Sequence, residues 1–162
     1  MVRVVEEECP AGFWCTAGKR IECTIGTYNN KTDQHLATAC IQCPMHSTTL
    51  REGSINLADC VCEAGYFNNN SMADHAADSA VDCQPCQVGT SCNLPGTTLR
   101  TLNLTKGYWR PSPVSTDVRR CPDAAVNCWD EGRDACDDTH SGCRGGADFE
   151  TQCAAGLRGL GS

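Results

Sequence analysis

The stretch CPMHSTTLREGSINLADCVCEAGYF, residues 43–67, sets the pattern that decides the fold. It opens with Cys43, returns to a cysteine at Cys60 after sixteen residues, and reaches Cys62 after one more residue. A long loop is thus followed by a very short connector.

The same alternation continues on both sides of this stretch. Sixteen residues separate Cys23 from Cys40, two residues separate Cys40 from Cys43, and twenty residues separate Cys62 from Cys83. Regular self-similarity of this kind is the signature of a repeat architecture. The spacing therefore predicts a series of small modules.

A second repeat lies in the residues that follow the opening cysteines. A glycine stands three residues after the cysteine in CPAGFW at 9, CTIGTY at 23, CEAGYF at 62, CQVGTS at 86 and CAAGLR at 153. Glycine supplies the positive φ that a tight turn requires. The aromatics after several of these turns are expected to cover the bridges: Trp14, Tyr28, Tyr66 and Phe67.

Composition indicates that disulfides replace a large core. Leu, Ile, Val and Phe together number 25 of 162 residues, about 15% and below the roughly 20% at which a packed interior becomes doubtful. The 15 cysteines are about 9% of the chain, in the range of a disulfide scaffold. Disulfides persist in oxidising compartments, so we expect an extracellular or cell-surface protein.

The regular spacing predicts local pairing, namely Cys23 with Cys40, Cys43 with Cys60, and Cys62 with Cys83. Crossed pairing within a repeat remains the alternative, because connectivity does not follow from sequence alone. Disulfides are also expected at Cys86, Cys92, Cys143 and Cys153. The close pairs Cys9/Cys15 and Cys86/Cys92 either bridge each other or reach onward.

An odd cysteine count leaves one thiol without a partner inside the chain. In CAAGLRGLGS, residues 153–162, the glycine spacing predicts a final cysteine at the position of Ser162. Truncation and replacement both explain this, and Cys9 or one of the last five cysteines is the expected free thiol. With no signal-like segment and no apolar stretch of about 20 residues, we expect a piece of a longer protein that reaches a membrane only through segments outside this chain.

Surface features agree with this compartment. Acceptor sequons occur at Asn30, Asn69 and Asn103, and such residues are glycosylated at the surface of secreted proteins. The net charge of −7 argues against nucleic acid as a partner.

The cysteines stop between residues 93 and 120. Alternating Leu and Thr at 97–105 predict a strand or hairpin arm. Tyr108 and Trp109 follow, and they either pack on a neighbouring module or form a partner-binding patch. Residues 71–81 have helical composition and are expected to form a turn or two.

Three alternative roles for these residues have less support in the sequence than disulfide bonding. The pairs CIQC at 40–43 and CQPC at 83–86 resemble zinc or redox pairs, but they lie 39 residues apart and are explained as closing and opening cysteines of adjacent loops. The acidic stretch 134–142 lacks the calcium pattern of an EF-hand. No catalytic constellation, cofactor or metal site is predicted.

Residues 43–67 resemble the ephrin-receptor-like cysteine-rich repeat, similar in style to the repeats of tumour-necrosis-factor receptors and to EGF-like modules. The resemblance rests on Cys43-Pro44, the run 47–49, Gly53-Ser54, and Cys60 and Cys62 followed by Gly65-Tyr66. Residues 107–128 resemble the segment that follows such repeats in large cell-surface proteins of algae and other protists.

The resemblance implies a small disulfide-rich fold: an elongated array of modules with short β-ribbons and little helix. We expect a partial module at 1–22, an ephrin-receptor-like repeat at 23–60, a second repeat at 61–92, a cysteine-free β/linker segment at 93–120 and an incomplete EGF-like module at 121–162. It also implies a non-enzymatic extracellular region that binds a protein or glycan ligand, with a passive spacer and, remotely, a zinc-binding domain as alternatives.

Overall fold

The computed structural model describes residues 8–70, 80–121 and 143–149. The chain divides into two compact units, Met1–Glu63 with Met72–Cys83 and Ala64–Ser71 with Gln84–Ser162. Most of the predicted helical stretch at 71–81 and most of the module at 121–162 lie outside the described residues. The module boundaries expected from the sequence stay predictions.

Short strands are the main regular element of the described residues, and each pairs with one other strand. Consecutive strands pair two by two along the chain, the first with the second and so on to the eleventh with the twelfth. Single 3₁₀ turns at Ala37–Ala39 and Leu57–Asp59 precede two of the closing cysteines. The strands are β1 Phe13–Thr16, β2 Lys19–Glu22, β3 Thr27–Tyr28, β4 Ile41–Gln42, β5 Ser47–Thr49, β6 Cys60–Cys62, β7 Tyr66–Asn68, β8 Cys83–Pro85, β9 Thr90–Ser91, β10 Asn103–Leu104, β11 Tyr108–Trp109 and β12 Arg119–Arg120.

Disulfides join all twelve cysteines of the described residues. In the close pairs Cys9/Cys15 and Cys86/Cys92, the two cysteines bond each other and do not reach onward. Cys9 therefore has a partner, and the expectation that it could be the free thiol is wrong. Cys128, Cys136 and Cys153 lie outside the described residues. The bridges are Cys9–Cys15, Cys23–Cys40, Cys43–Cys60, Cys62–Cys83, Cys86–Cys92 and Cys121–Cys143.

These bridges, with the short strand pairs and the absence of any α-helix from the described residues, confirm the predicted disulfide-rich fold with short β-ribbons and little helix. Each bridge within residues 9–92 is local in sequence, as the alternation of loop and connector predicted. No bridge there crosses another.

Backbone hydrogen bonds link successive turns in the first unit. The N–H of Cys23 donates to the carbonyl of Gly12, and the N–H of Cys43 donates to the carbonyl of Gly26, each at 2.9 Å. The N–H of Glu63 donates to the carbonyl of His46 at 3.0 Å. Each turn thus accepts a bond from the chain as it enters the next turn, and the repeats are held together without a large apolar core.

His46 occupies the position that glycine holds in the other turns. Its φ is 61°, compared with 85° at Gly12 and 87° at Gly26. Positive φ is uncommon for residues other than glycine, although His is among the residues that adopt it more often. The turn at 43–46 therefore belongs to the same series although its glycine is missing.

The second unit has a small apolar cluster beside a bridge. Phe67, Cys92, Leu99 and Leu102 are buried together, and Cys86 packs against them. The expectation that an aromatic covers a bridge holds at Phe67. This cluster fixes the chain after Cys92, where the cysteines stop.

The alternating segment at 97–105 contains a turn at 98–101, so the predicted strand or hairpin arm is found only at its end. The backbone N–H of Thr98 donates to the hydroxyl of Thr101 at 3.0 Å, and the N–H of Thr101 donates to the carbonyl of Thr98 at 3.1 Å. Only Asn103–Leu104 form a strand. Threonine hydroxyls that bond the local backbone compete with a β-ladder, and here they fold the segment back.

Candidate interaction surfaces

Two exposed apolar side chains stand at equivalent positions of successive turns in the first unit. Ile25 and Met45 are each the second residue after an opening cysteine, and they are 58% and 82% exposed. Their turns are joined directly by the bond from Cys43 to Gly26. We call Ile25 and Met45 the turn surface. The sequence signal for it is the apolar residue two positions after the opening cysteine, before Gly26 in one turn and before His46 in the other.

The aromatic pair predicted for binding or packing lies on the β11–β12 ribbon. Tyr108 pairs with Arg120 and Trp109 pairs with Arg119. Each guanidinium lies over the ring of its cross-strand partner, 5.7 Å from the centroid for Trp109 and 5.8 Å for Tyr108. Such cation–π contacts contribute about 0.5–1 kcal/mol at exposed sites. The arginines thus cover part of the surface that the rings present to solvent.

The other sides of both rings are packed. Trp109 packs against the buried bridge of Cys121 and Cys143. A Cβ atom at Gly89 would overlap the ring of Tyr108, so that ring lies directly on the glycine. This packing agrees with the interpretation of the pair as a hydrophobic staple. A partner-binding role for Tyr108 and Trp109 stays a prediction.

An exposed ion pair orients one of the two arginines. Nε of Arg119 donates to Oδ2 of Asp117 at 2.8 Å. The hydrogen bond from Arg119 holds the pKa of the Asp117 carboxyl below its usual value, and the same bond raises the pKa of Arg119. The pair fixes the guanidinium close to the indole ring.

Arg110 is a buried cation that sequence reasoning missed. It is 2% exposed, and its Nη1 and Nη2 donate to the carbonyls of Leu99 and Arg100 at 2.6 and 3.3 Å. Burial lowers the pKa of Arg110. Its guanidinium ties the turn at 98–101 to the end of β11. A charged residue next to two aromatics is expected at the surface, so the sequence does not indicate that this arginine is buried.

The sequon asparagines differ in exposure. Asn30 and Asn103 are exposed, and Asn69 is half-buried. Asn103 lies in β10 opposite Ser91.

The cysteines of the two CxxC pairs are bound in four different bridges. Cys40 bonds Cys23, and Cys43 bonds Cys60; Cys83 and Cys86 are bonded likewise, to Cys62 and Cys92. A zinc ligand or a redox nucleophile must be a thiolate, so these sulfurs cannot serve as either while the bridges are intact. Within the described ranges, no group of three or more His, Cys, Asp or Glu side chains is arranged to hold a metal ion.

Comparison with known proteins identifies the repeat that the bridges build. Residues 15–60 match the family described as tyrosine-protein kinase ephrin type A/B receptor-like. The chain contains an ephrin-receptor-like cysteine-rich region. The match spans the bridges Cys23–Cys40 and Cys43–Cys60 and the turn surface.

Similar proteins extend this relationship beyond the matched region. Cysteine repeat modular protein A of Toxoplasma gondii is 33% identical over 86 residues, which are 50% of this chain and 3% of that protein. Ephrin type-A receptors 4-B and 4-A of Xenopus laevis are each 32% identical over 119 residues, 74% of this chain and 10% of each receptor. The chain therefore spans a small fraction of the length of these relatives.

The ephrin-receptor-like region and its disulfides indicate an extracellular region of receptor type. None of the helices in the described part of the chain is long and apolar enough to cross a membrane.

Proposed function

We propose that this chain is a non-enzymatic part of an extracellular region of receptor or adhesion type, and that it binds a protein partner through the turn surface. The observation that carries the proposal is the exposure of Ile25 and Met45 on hydrogen-bonded turns inside the ephrin-receptor-like region. The Xenopus relatives are receptors by name, which supports a protein ligand.

Rigidity is what the bridges contribute to such a role. The turns that carry Ile25 and Met45 follow the opening cysteines of two bridges, Cys23–Cys40 and Cys43–Cys60. Binding costs less free energy when the contacting residues are already ordered. An apolar side chain held on a fixed turn can therefore contribute to affinity without ordering a loop.

Glycan binding is the second ligand class, and the β11–β12 ribbon favours it. The guanidinium groups of its two arginines, which lie over the rings, offer several hydrogen-bond donors to a sugar. The contacts of Arg119 with Trp109 and of Arg120 with Tyr108 place these groups together. A passive spacer is the remaining alternative, supported by the turn-to-turn hydrogen bonds that repeat through each unit.

Cell-surface binding by the secreted full chain, presented as a fluorescent tetramer, tests these roles. Met45→Glu and Ile25→Glu place a charge on the turn surface and are expected to weaken binding tenfold or more, about 1.4 kcal/mol. Leu36→Glu is the matched control, because Leu36 is exposed and apolar but lies outside the two turns that carry Ile25 and Met45. Each variant must keep the disulfide map of the parent.

Treatment of the cells separates the ligand classes. Protease treatment of the cells should abolish binding to a protein partner, whereas glycosidase treatment should abolish binding to a glycan. Arg119→Ala with Arg120→Ala should reduce only the second. A correctly bridged tetramer that binds no cells would refute the binding proposal and favour the spacer.

A further inference from the structure

One sequence motif occurs twice in the chain. GTYNNKT at 26–32 and GYFNNNS at 65–71 share a turn glycine, an aromatic two residues later, two asparagines and an acceptor hydroxyl residue. In both copies the second asparagine is the sequon residue, Asn30 in one and Asn69 in the other.

The first asparagine of each motif has a structural role. Oδ1 of Asn29 accepts a hydrogen bond from the backbone N–H of Lys31 at 3.0 Å. Oδ1 of Asn68 accepts one from the N–H of Asn70 at 3.1 Å. An Asx turn of this kind reverses the chain at its central residue, and that central residue is the sequon asparagine in each copy.

The backbone of the first asparagine is anchored in the same way in both copies. The N–H of Asn29 donates to the carbonyl of Ser54 at 3.0 Å, and the N–H of Asn68 donates to the carbonyl of Thr97 at 2.9 Å. Asn29 is 1% exposed, and its Nδ2 also donates to the carbonyl of Phe13 at 2.9 Å. Its side-chain nitrogen is therefore committed to the fold, whereas the neighbouring Asn30 is exposed.

We propose that Asn30 and Asn69 carry N-linked glycans at equivalent positions of the two repeats, presented by Asx turns that Asn29 and Asn68 hold in place. The asparagine side chain is the acceptor in a displacement reaction, and the donor is an oligosaccharide linked to a polyprenyl diphosphate. Nδ2 of each asparagine forms a bond to C1 of the first sugar, the bond from C1 to the diphosphate oxygen breaks, the lipid diphosphate leaves with the electron pair, and the amide releases one proton.

The position of these turns has a consequence for the surface of the first unit. Asn30 follows the end of β3, whereas Ile25 precedes the turn glycine at its start. The glycan at Asn30 therefore begins at the opposite end of this two-residue strand from Ile25. The modification does not depend on the proposed function, since a spacer would carry it equally well.

Peptide mapping of the full chain, secreted from a eukaryotic host, tests the proposal. Deglycosylation by an amidase in heavy-oxygen water converts each glycosylated Asn to labelled Asp. We expect label at Asn30 and at Asn69, and the loss of one glycan mass in Asn30→Gln and in Asn69→Gln. Thr32→Ala should remove the glycan at Asn30, whereas the matched variant Thr32→Ser should keep it.

Failure of folding can be separated from failure of modification. The same digest without reduction reports the bridges Cys23–Cys40 and Cys62–Cys83, which enclose the two motifs. Unlabelled Asn30 and Asn69 in correctly bridged protein would overturn the proposal, as would label at Asn103 alone. Cell binding by the double variant Asn30→Gln with Asn69→Gln, which lacks both proposed glycans, then tests the proposed function by itself.

Discussion

Leu104 and Gly146 exchange two backbone hydrogen bonds. The N–H of Leu104 donates to the carbonyl of Gly146 at 3.0 Å, and the N–H of Gly146 donates back at 2.8 Å. Leu104 also pairs with Thr90 in β9, as Cys62 pairs with Ser47 in β5. A leucine thus occupies the register position of an opening cysteine, and LTKG at 104–107 continues the series of turns where the cysteines stop.

Truncation of this leucine should destabilise the second unit. Leu104 is 3% exposed, and Leu→Ala changes in a buried site cost about 2–5 kcal/mol. Urea unfolding of oxidised Leu104→Ala should show this loss. Leu94→Ala is the control, because Leu94 is 74% exposed and should change stability by less than about 0.5 kcal/mol. Equal effects of the two variants would contradict the assigned position.

Removal of a long-loop bridge should cost more than removal of a short one. Cys62–Cys83 spans 21 residues and Cys9–Cys15 spans 6. The chain-entropy model gives a difference of about 1 kcal/mol in the free energy of unfolding. Paired Cys→Ser variants compared by urea unfolding without reductant measure it. The Cys86–Cys92 variant, with the same separation of 6, should fall with the short-loop variant; a larger loss there would contradict the entropic account.

Substitution of the two asparagines of the first motif should change the free energy of unfolding by different amounts. Asn29→Ala removes the bonds to Phe13 and Lys31 from a buried site and should cost about 1–3 kcal/mol. Asn30→Ala should be nearly neutral because its side chain is exposed. Both variants are best made in a bacterial periplasm, so that glycosylation does not enter the comparison. Equal melting temperatures of the two variants under oxidising conditions would contradict a structural role for Asn29.

Asp117 should titrate below its ordinary pKa of 3.8, because Arg119 hydrogen-bonds its charged form. A lowered carboxyl pKa stabilises the fold above pH 3.8, and that contribution disappears as the pH falls through the folded value. Carboxyl carbon NMR should record the shift and its reversal in Arg119→Ala. The matched variant Arg120→Ala should leave the pKa of Asp117 low; a rise there would assign the effect to general charge.

Local features were the ones that the sequence predicted well. The cysteine spacing predicted modules closed by local bridges, because a loop of fixed length returns to its own start. The turn glycines predicted where φ is positive, since few other residues adopt it. The positive φ of His46 was not predicted, because the rule considered glycine alone and residues other than glycine occasionally adopt positive φ.

Arg110, Leu104 and the turn at 98–101 were decided by tertiary structure. From the sequence, Arg110 is expected to be a surface charge. In the structure it is buried, because the fold brings the carbonyls of Leu99 and Arg100 within hydrogen-bond distance of its guanidinium. The alternation of Leu and Thr at 97–105 predicted a strand, because a hydrophobicity pattern carries no information about hydrogen bonds between threonine side chains and the backbone. By itself the sequence determined the spacing of the bridges and the repeat, because these depend on residue type and on the number of residues between cysteines. Only the tertiary structure decided which polar groups are buried, since that depends on which distant backbone groups meet them.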